Sequence, residues 1–190
     1  MKRLPTIACL LLLVLLNLSP PVSGTEKPEI DPGKLAVRIH ELVNKERAKN
    51  DLPPLKWNEA LAEIARKHSE DMSEKGYFSH TNPRGETPTE RGAKAGFTCR
   101  KEYGLAFRTG LAENLAQNSL FHAVRYTVGP GGKTRERLWN TLEEIAGSTV
   151  QGWMKSEGHR KNILNPGYAT EGIGIGFTED GKVYITQMFC

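Results

Sequence analysis

The sequence predicts an α+β fold in which helices cover an antiparallel sheet. Three observations carry that expectation. Two early stretches repeat apolar residues at helical spacing: Leu35, Ile39, Leu42 and Val43, then Leu61, Ile64, Ala65 and Met72. A third stripe, Ile145, Thr149, Val150, Trp153 and Met154, follows late in the chain. The chain then closes on two strand-like runs, residues 168–177 and 183–189, joined by the turn signal Glu179-Asp180-Gly181. Several helices followed by a closing hairpin fit helices layered on an antiparallel sheet.

Taken in order, the chain opens on the basic Met1-Lys2-Arg3, followed by an apolar run at 7–16 and a tail rich in proline and small residues up to Gly24. This is the order of a secretory signal peptide, with cleavage expected after Gly24. The apolar run is shorter than the roughly 20 residues a membrane span needs. A lipoprotein reading at Cys9 is weak, because the apolar run follows that cysteine instead of preceding it. Residues 1–24 are therefore read as a signal peptide, 25–33 as a short polar leader and 34–190 as one domain. The mature chain is expected to be secreted, periplasmic or extracellular, with no stable membrane span. Losing Lys2 and Arg3 takes the formal charge from +4 to +2. That near-neutral balance argues against nucleic acid as a partner.

Cleavage leaves two cysteines, Cys99 and Cys190. In an oxidising compartment an even pair reads as one disulfide, the alternative being two free thiols. The first helix should run over 34–49, with Asp31-Pro32 at its start and Asp51-Leu52-Pro53-Pro54 breaking it. The second should run over 58–75, with Asn58 as N-cap and Gly76 beyond its end. His68 shares the apolar stripe of that helix and is read as structural. Thr87-Pro88-Thr89-Glu90 is a capping-box pattern opening a short helix that ends near Gly96, a wall without chemistry of its own.

Residues 118–140 read as an irregular insertion near a cavity rim, with a flexible turn at Val128-Gly129-Pro130-Gly131-Gly132. The third stripe should stop at Gly158, which frees His159 to point from a sharp turn. A plainer reading has His159 only bonding the helix end. Gly172, Gly174 and Gly176 alternate with Ile173 and Ile175, leaving one strand face bare for close packing by a helix or ligand.

Chemistry-bearing residues fall in ordered segments. Phe78-Ser79-His80-Thr81-Asn82-Pro83 is a loop with an aromatic anchor. Ala112-Glu113-Asn114-Leu115 places an acid in an apolar stretch, where an inward carboxylate needs a partner. The segment from Trp153 through Gly158-His159 to Asn165-Pro166 comes next, then the glycine strand and Ile185-Thr186-Gln187-Met188-Phe189. In that order these segments resemble the bacterial branch of the CAP superfamily, also called SCP-like extracellular domains. The resemblance covers roughly residues 36–190. It implies a three-layer α-β-α sandwich with a cavity near paired histidines and acids. His80 is carried over by its place in the FSH segment, with Glu113 as the acid partnering a cavity histidine and His159 as the second histidine. Animal and plant members commonly add a second acid where this chain has Ser156, which leaves Ser156 as a polar fourth member.

Three function classes follow. The first is a secreted binding or interaction module, whose cavity, lined by His80, Glu113, Ser156 and His159, takes a small apolar ligand, a peptide or a divalent metal. The second is a metal-assisted hydrolase in which His80 and His159 hold zinc or another divalent ion beside Glu113, the same three residues being the catalytic candidates. The third is a structural protein of the cell envelope or spore surface. No GxSxG elbow occurs, which disfavours a serine nucleophile.

Overall fold

A computed structural model describes residues 27–103 and 106–190; the signal-peptide reading of residues 1–24 lies outside them. The chain folds as an α-β-α sandwich. Helix α1 (Pro32–Ala48) starts where the sequence puts its signal: Asp31 accepts from the Lys34 amide and Pro32 occupies the first turn. Strand β1 (Lys56–Trp57) leads into α2 (Glu59–Lys75), capped by the Asn58 side chain and ended by Gly76 at φ 69°. Helix α3 (Pro88–Lys94) opens on a complete capping box between Thr87 and Glu90. After a small hairpin, β2 (Arg100–Tyr103) and β3 (Ala106–Thr109), come β4 (Ala112–Ser119) and a second hairpin, β5 (Phe121–Gly129) and β6 (Gly132–Trp139). Helices α4 (Leu142–Lys155) and α5 (Glu157–Ile163) precede the closing strands β7 (Thr170–Phe177) and β8 (Lys182–Phe189).

The central sheet runs in the order β1-β7-β8-β4, antiparallel except for the parallel β1–β7 edge. Strand alternation divides its two faces. On one face Ile173, Ile175, Ile185 and Phe189 join Leu35, Ile39, Ile145, Val150 and Trp153 in the main core under α1 and α4. On the other, Met188 packs with Leu61, Ile64 and Ala65 of α2, and Leu115 and Tyr184 pack with Met72.

The bare strand face is filled by a helix. A Cβ built on Gly172 would sit 2.1 Å from the Ala62 nitrogen, one on Gly174 1.9 Å from the Arg66 nitrogen and one on Gly176 2.4 Å from the Ser69 oxygen. Two strand residues advance about 6.6 Å and four helix residues about 6.0 Å, so each glycine meets successive turns of α2. The Ser69 hydroxyl fastens this contact through Gly174 O at 2.9 Å and Thr186 Oγ1 at 2.8 Å.

Cys99 and Cys190 are joined by a disulfide with a Cα separation of 5.6 Å. Among the described residues no helix is long and apolar enough to cross a membrane.

Two expectations need correction. Gly158 does not end the helix: α4 stops at Ser156, whose extended backbone (φ −88°, ψ 124°) breaks the helical path, and Gly158 lies inside α5. No left-handed residue is needed there, because α5 restarts at once in a new direction. Residues 118–140 are likewise neither irregular nor beside the His/Glu cluster. They extend β4 and then form the β5–β6 ladder, which leaves the sheet at the β7–β8 turn, where Leu120 N donates to Gly181 O. Six residues of β4 separate Ser119 from Glu113, about 20 Å at strand rise.

Candidate functional site

The site is built where α2, the 77–83 loop, α3, β4 and α5 converge. Glu113 points from β4 toward α2, with its side chain 1% exposed. Its Oε2 accepts from the Arg91 guanidinium at 2.5 Å and its Oε1 from His80 Nδ1 at 2.8 Å. A carboxylate only accepts, so His80 Nδ1 bears the proton. Arg91 also donates to the carbonyls of His80 and Glu86, at 2.8 and 2.9 Å, tying the FSH loop to α3. A buried carboxylate is tolerable only when paired and hydrogen-bonded, and Arg91 with His80 meets that need.

His68 keeps the structural role read for it, buried and hydrogen-bonded, and it also borders the site. Its stripe on α2 faces this carboxylate, with Nε2 4.0 Å from Glu113 Oε1. Nε2 donates to Ser79 O at 3.0 Å, which fixes the loop just before His80. Nδ1 lies 3.4 Å from the Tyr77 hydroxyl, which itself donates to Asp71 at 2.5 Å. Burial pushes the His68 imidazole below the usual histidine range, against the opposing pull of Glu113. Sequence reasoning also passed over Arg91, reading its helix as a wall. The available signal was the need of an inward Glu113 for a cation, which a residue in the short capped helix could meet.

On the opposite face of β4, Asn114 positions α5. Its amide donates to His159 O at 3.2 Å and to Gln187 Oε1 at 3.0 Å. Asn162 returns bonds to Asn114 Oδ1 at 2.9 Å and Glu113 O at 3.3 Å. Arg47, fully buried, holds the other end of α5 through Ile163 O at 2.7 Å and Asn165 O at 3.0 Å. His159 therefore sits in the first turn of a helix clamped at both ends. Its Nδ1 is buried without a hydrogen-bond partner. Burial, and then the nearby charge of a protonated His80, hold this imidazole below the usual histidine range.

Glu113 thus meets His80 directly, and His159 lies within electrostatic reach of His80. Ser156 forms the joint between α4 and α5, and its hydroxyl makes no capping bond. Among the described residues no three His, Cys, Asp or Glu side chains converge as a metal-binding group. The chemistry of the donor set agrees. Both oxygens of Glu113 are engaged, one by a guanidinium, so the three-ligand set of a catalytic zinc is not assembled here. The nitrogens left for a cation are His80 Nε2 and the two ring nitrogens of His159, of which Nδ1 is the buried one.

Beside the cluster runs a cleft of about 440 Å³, lined among others by His68, Asp71, Arg84, Glu86, Arg91 and Lys94. Its acids are firmly ionised: ion pairing with Lys94, assisted by Asn82 and Arg84, pulls the Glu86 carboxyl down to about 2.

The model of the cysteine-rich secretory protein family, CAP, matches residues 40–189. Two Bacillus subtilis proteins are similar over 152 residues, 80% of this chain. They are the uncharacterized protein YkwD, at 36% identity and 45% of its length, and the uncharacterized membrane protein YlbC, at 32% and 33%. The chain thus spans less than half the length of either. An extracellular protein of Bacillus anthracis containing an SCP domain superposes with a TM-score of 0.56 at 28% identity, covering 83% of this chain and 40% of that one. An outer surface protein of Borrelia burgdorferi shares the fold, with a TM-score of 0.59 at 19% identity over 86% of this chain and 97% of its own. A family match across some four-fifths of the sequence, over the fold and the segments just described, makes this chain a member of the CAP, or cysteine-rich secretory protein, family.

Proposed function

We propose that the chain is an exported binding module whose ligand is received between His80 and His159. The observation that carries this reading is the buried, unpartnered Nδ1 of His159 beside an imidazole already oriented by a carboxylate. A buried polar atom without a partner is costly, and a ligand that pairs with it recovers that cost. With its Nδ1 proton committed to Glu113, a neutral His80 offers Nε2 as an electron-pair donor. The pair therefore suits a peptide or small molecule bearing a hydroxyl or amide N–H, or a divalent cation. The cation reading is favoured by one detail: metal-binding imidazoles commonly hold their second nitrogen on a carboxylate, as His80 does.

The experiment is Zn²⁺ titration calorimetry on the wild type and on His80→Ala, His159→Ala and His68→Ala, with the imidazoles followed by NMR. Binding lost in the first two and largely kept in the third supports the cation reading. Equal binding by all four removes it. The binding-module reading itself fails if no peptide or hydroxyl-bearing fragment in a library shifts the His159 ring resonances.

A further inference from the structure

The edge of the central sheet opposite β4 has no strand partner beyond Glu171, although Ile173 and Ile175 lie between the flanking helices, 2% and 4% exposed. Strand β1 pairs with β7 only at Thr170 and Glu171, and there the chain turns away into α2. Glu171 O accepts from Asn58 N on this side at 2.8 Å, whereas Thr170 exchanges bonds with Cys190 on the other. Strand alternation then directs the N–H and C=O of Ile173 and Ile175 to the β1 side, where no described strand meets them. An unpaired strand edge is a template for another extended chain, and folded proteins ordinarily blunt or cover it.

This edge is the floor of a groove of about 370 Å³. Ile173, Gly174 and Ile175 lie at its base, with Ala36 and Val37 of α1 on one wall and Ala62 and Arg66 of α2 on the other. Trp57 closes the end where β1 stops. Val37 is 48% exposed, an apolar side chain at the rim. The remaining charged lining is acidic, with Glu59, Glu63 and Glu70 against Arg66 alone. Arg66 is already held by Glu63 and Glu70, at 2.7 and 2.5 Å.

From this edge and its rim we propose a second binding site, a slot in which an extended peptide adds a strand to β7 beyond β1. Main-chain bonds to Ile173 and Ile175 supply the pairing, in the mode of β-augmentation. Side chains turned toward α2 must be small, because the glycines let that helix close onto the sheet. Side chains turned toward α1 are apolar and meet Val37 and Trp57. A lysine or arginine flanking the paired residues answers the acidic rim. The segment just before α1 is a poor occupant, since Pro28 lacks the N–H group that a ladder uses. A second copy would bring one acidic rim against another.

The test uses the full exported chain and a blocked peptide, acetyl-Arg-Val-Ser-Val-Ser-Val-amide, against its analogue N-methylated at the paired residues. Expected are NMR shifts of the Ile173 and Ile175 amides and binding by fluorescence anisotropy. N-methylation should weaken it about tenfold or more. The exposed-residue variant Glu63→Lys/Glu70→Lys should weaken it severalfold while leaving the fold and the His80 and His159 resonances unchanged. Equal binding of the N-methylated peptide, or shifts that avoid Ile173 and Ile175, would overturn the proposal. So would a concentration-dependent dimer protecting the same amides, which would assign the edge to a second copy. Because the readout is remote from His80 and His159, it stands whatever ligand they take.

Discussion

Gly174→Ala should be among the most damaging single methyl additions to this protein. The new Cβ would lie 1.9 Å from Arg66 N and 2.3 Å from Ala65 C, where ordinary contact begins at 3.4 Å. These are main-chain atoms of a helix and cannot rotate aside, so α2 must retreat by about 1.5 Å. Leu61, Ile64, Ala65 and Met72 carry α2 into this interface, none more than 4% exposed. Their burial is worth roughly 8 kcal/mol, and since a gap of about 1 Å already forfeits up to half of the contact, a retreat of about 1.5 Å forfeits at least that share. The expected loss is therefore about 4 kcal/mol or more, a large share of the roughly 5–15 kcal/mol that stabilises a domain. The bond from Ser69 to Gly174 O would be stretched in the same movement. Gly147→Ala is the control, since its Cβ meets nothing within 4 Å inside α4 and helix propensity favours alanine by about 1 kcal/mol. Urea unfolding followed by tryptophan fluorescence should move the two midpoints in opposite directions. A Gly174→Ala midpoint equal to wild type would refute the packing argument.

Reducing the Cys99–Cys190 bond, which closes a separation of 91 residues, should cost about 4 kcal/mol; urea midpoints with and without reductant, after thiol alkylation and intact-mass checking, measure it. Arg91→Met leaves the Glu113 carboxylate without its cation and should cost about 3–5 kcal/mol, whereas the double variant with Glu113→Gln should recover much of that. A double-mutant cycle reading no coupling would show that Arg91 acts elsewhere. Burial lowers the folded-state value of His68, so the unfolded chain takes up that proton first as pH falls. Stability should therefore be complete above the unfolded histidine value, about 6.5, and decline as pH drops below it. His68→Gln should flatten that decline in denaturation curves taken from pH 7.5 to 5.

The local signals in the sequence were sufficient for the helix starts, since a cap is a matter of a few adjacent residues: Asp31-Pro32, Asn58 and Thr87 each cap the helix they announce. The closing hairpin was legible for the same reason, its turn made by Gly181 at φ 97°. What could not be read was which element a stripe would face. His68 repeats with Leu61, Ile64 and Met72 as a core residue would, and only the opposing strand turns that stripe toward Glu113. Arg91 was hidden similarly, because its partner lies 22 residues away on β4. The β5–β6 hairpin escaped because it stands in solvent, with residues 125–135 all exposed. Without a buried face it has no alternation to betray it.

The glycine-lined strand also sets what variation this architecture can absorb. Where side chains interlock, a larger residue can be offset by a smaller neighbour, and a core drifts through paired exchanges. Against Gly172, Gly174 and Gly176 there is nothing to exchange, because the obstructing atoms belong to the peptide backbone that every amino acid shares. No second substitution on α2 can make room. Those three positions should stay closed to neutral change, while outward residues of α2 such as Lys67 and Glu74 remain free to vary. Divergence among chains of this build would then collect on helix exteriors and loops, with the seat of His68 and Ser69 held fixed beneath it.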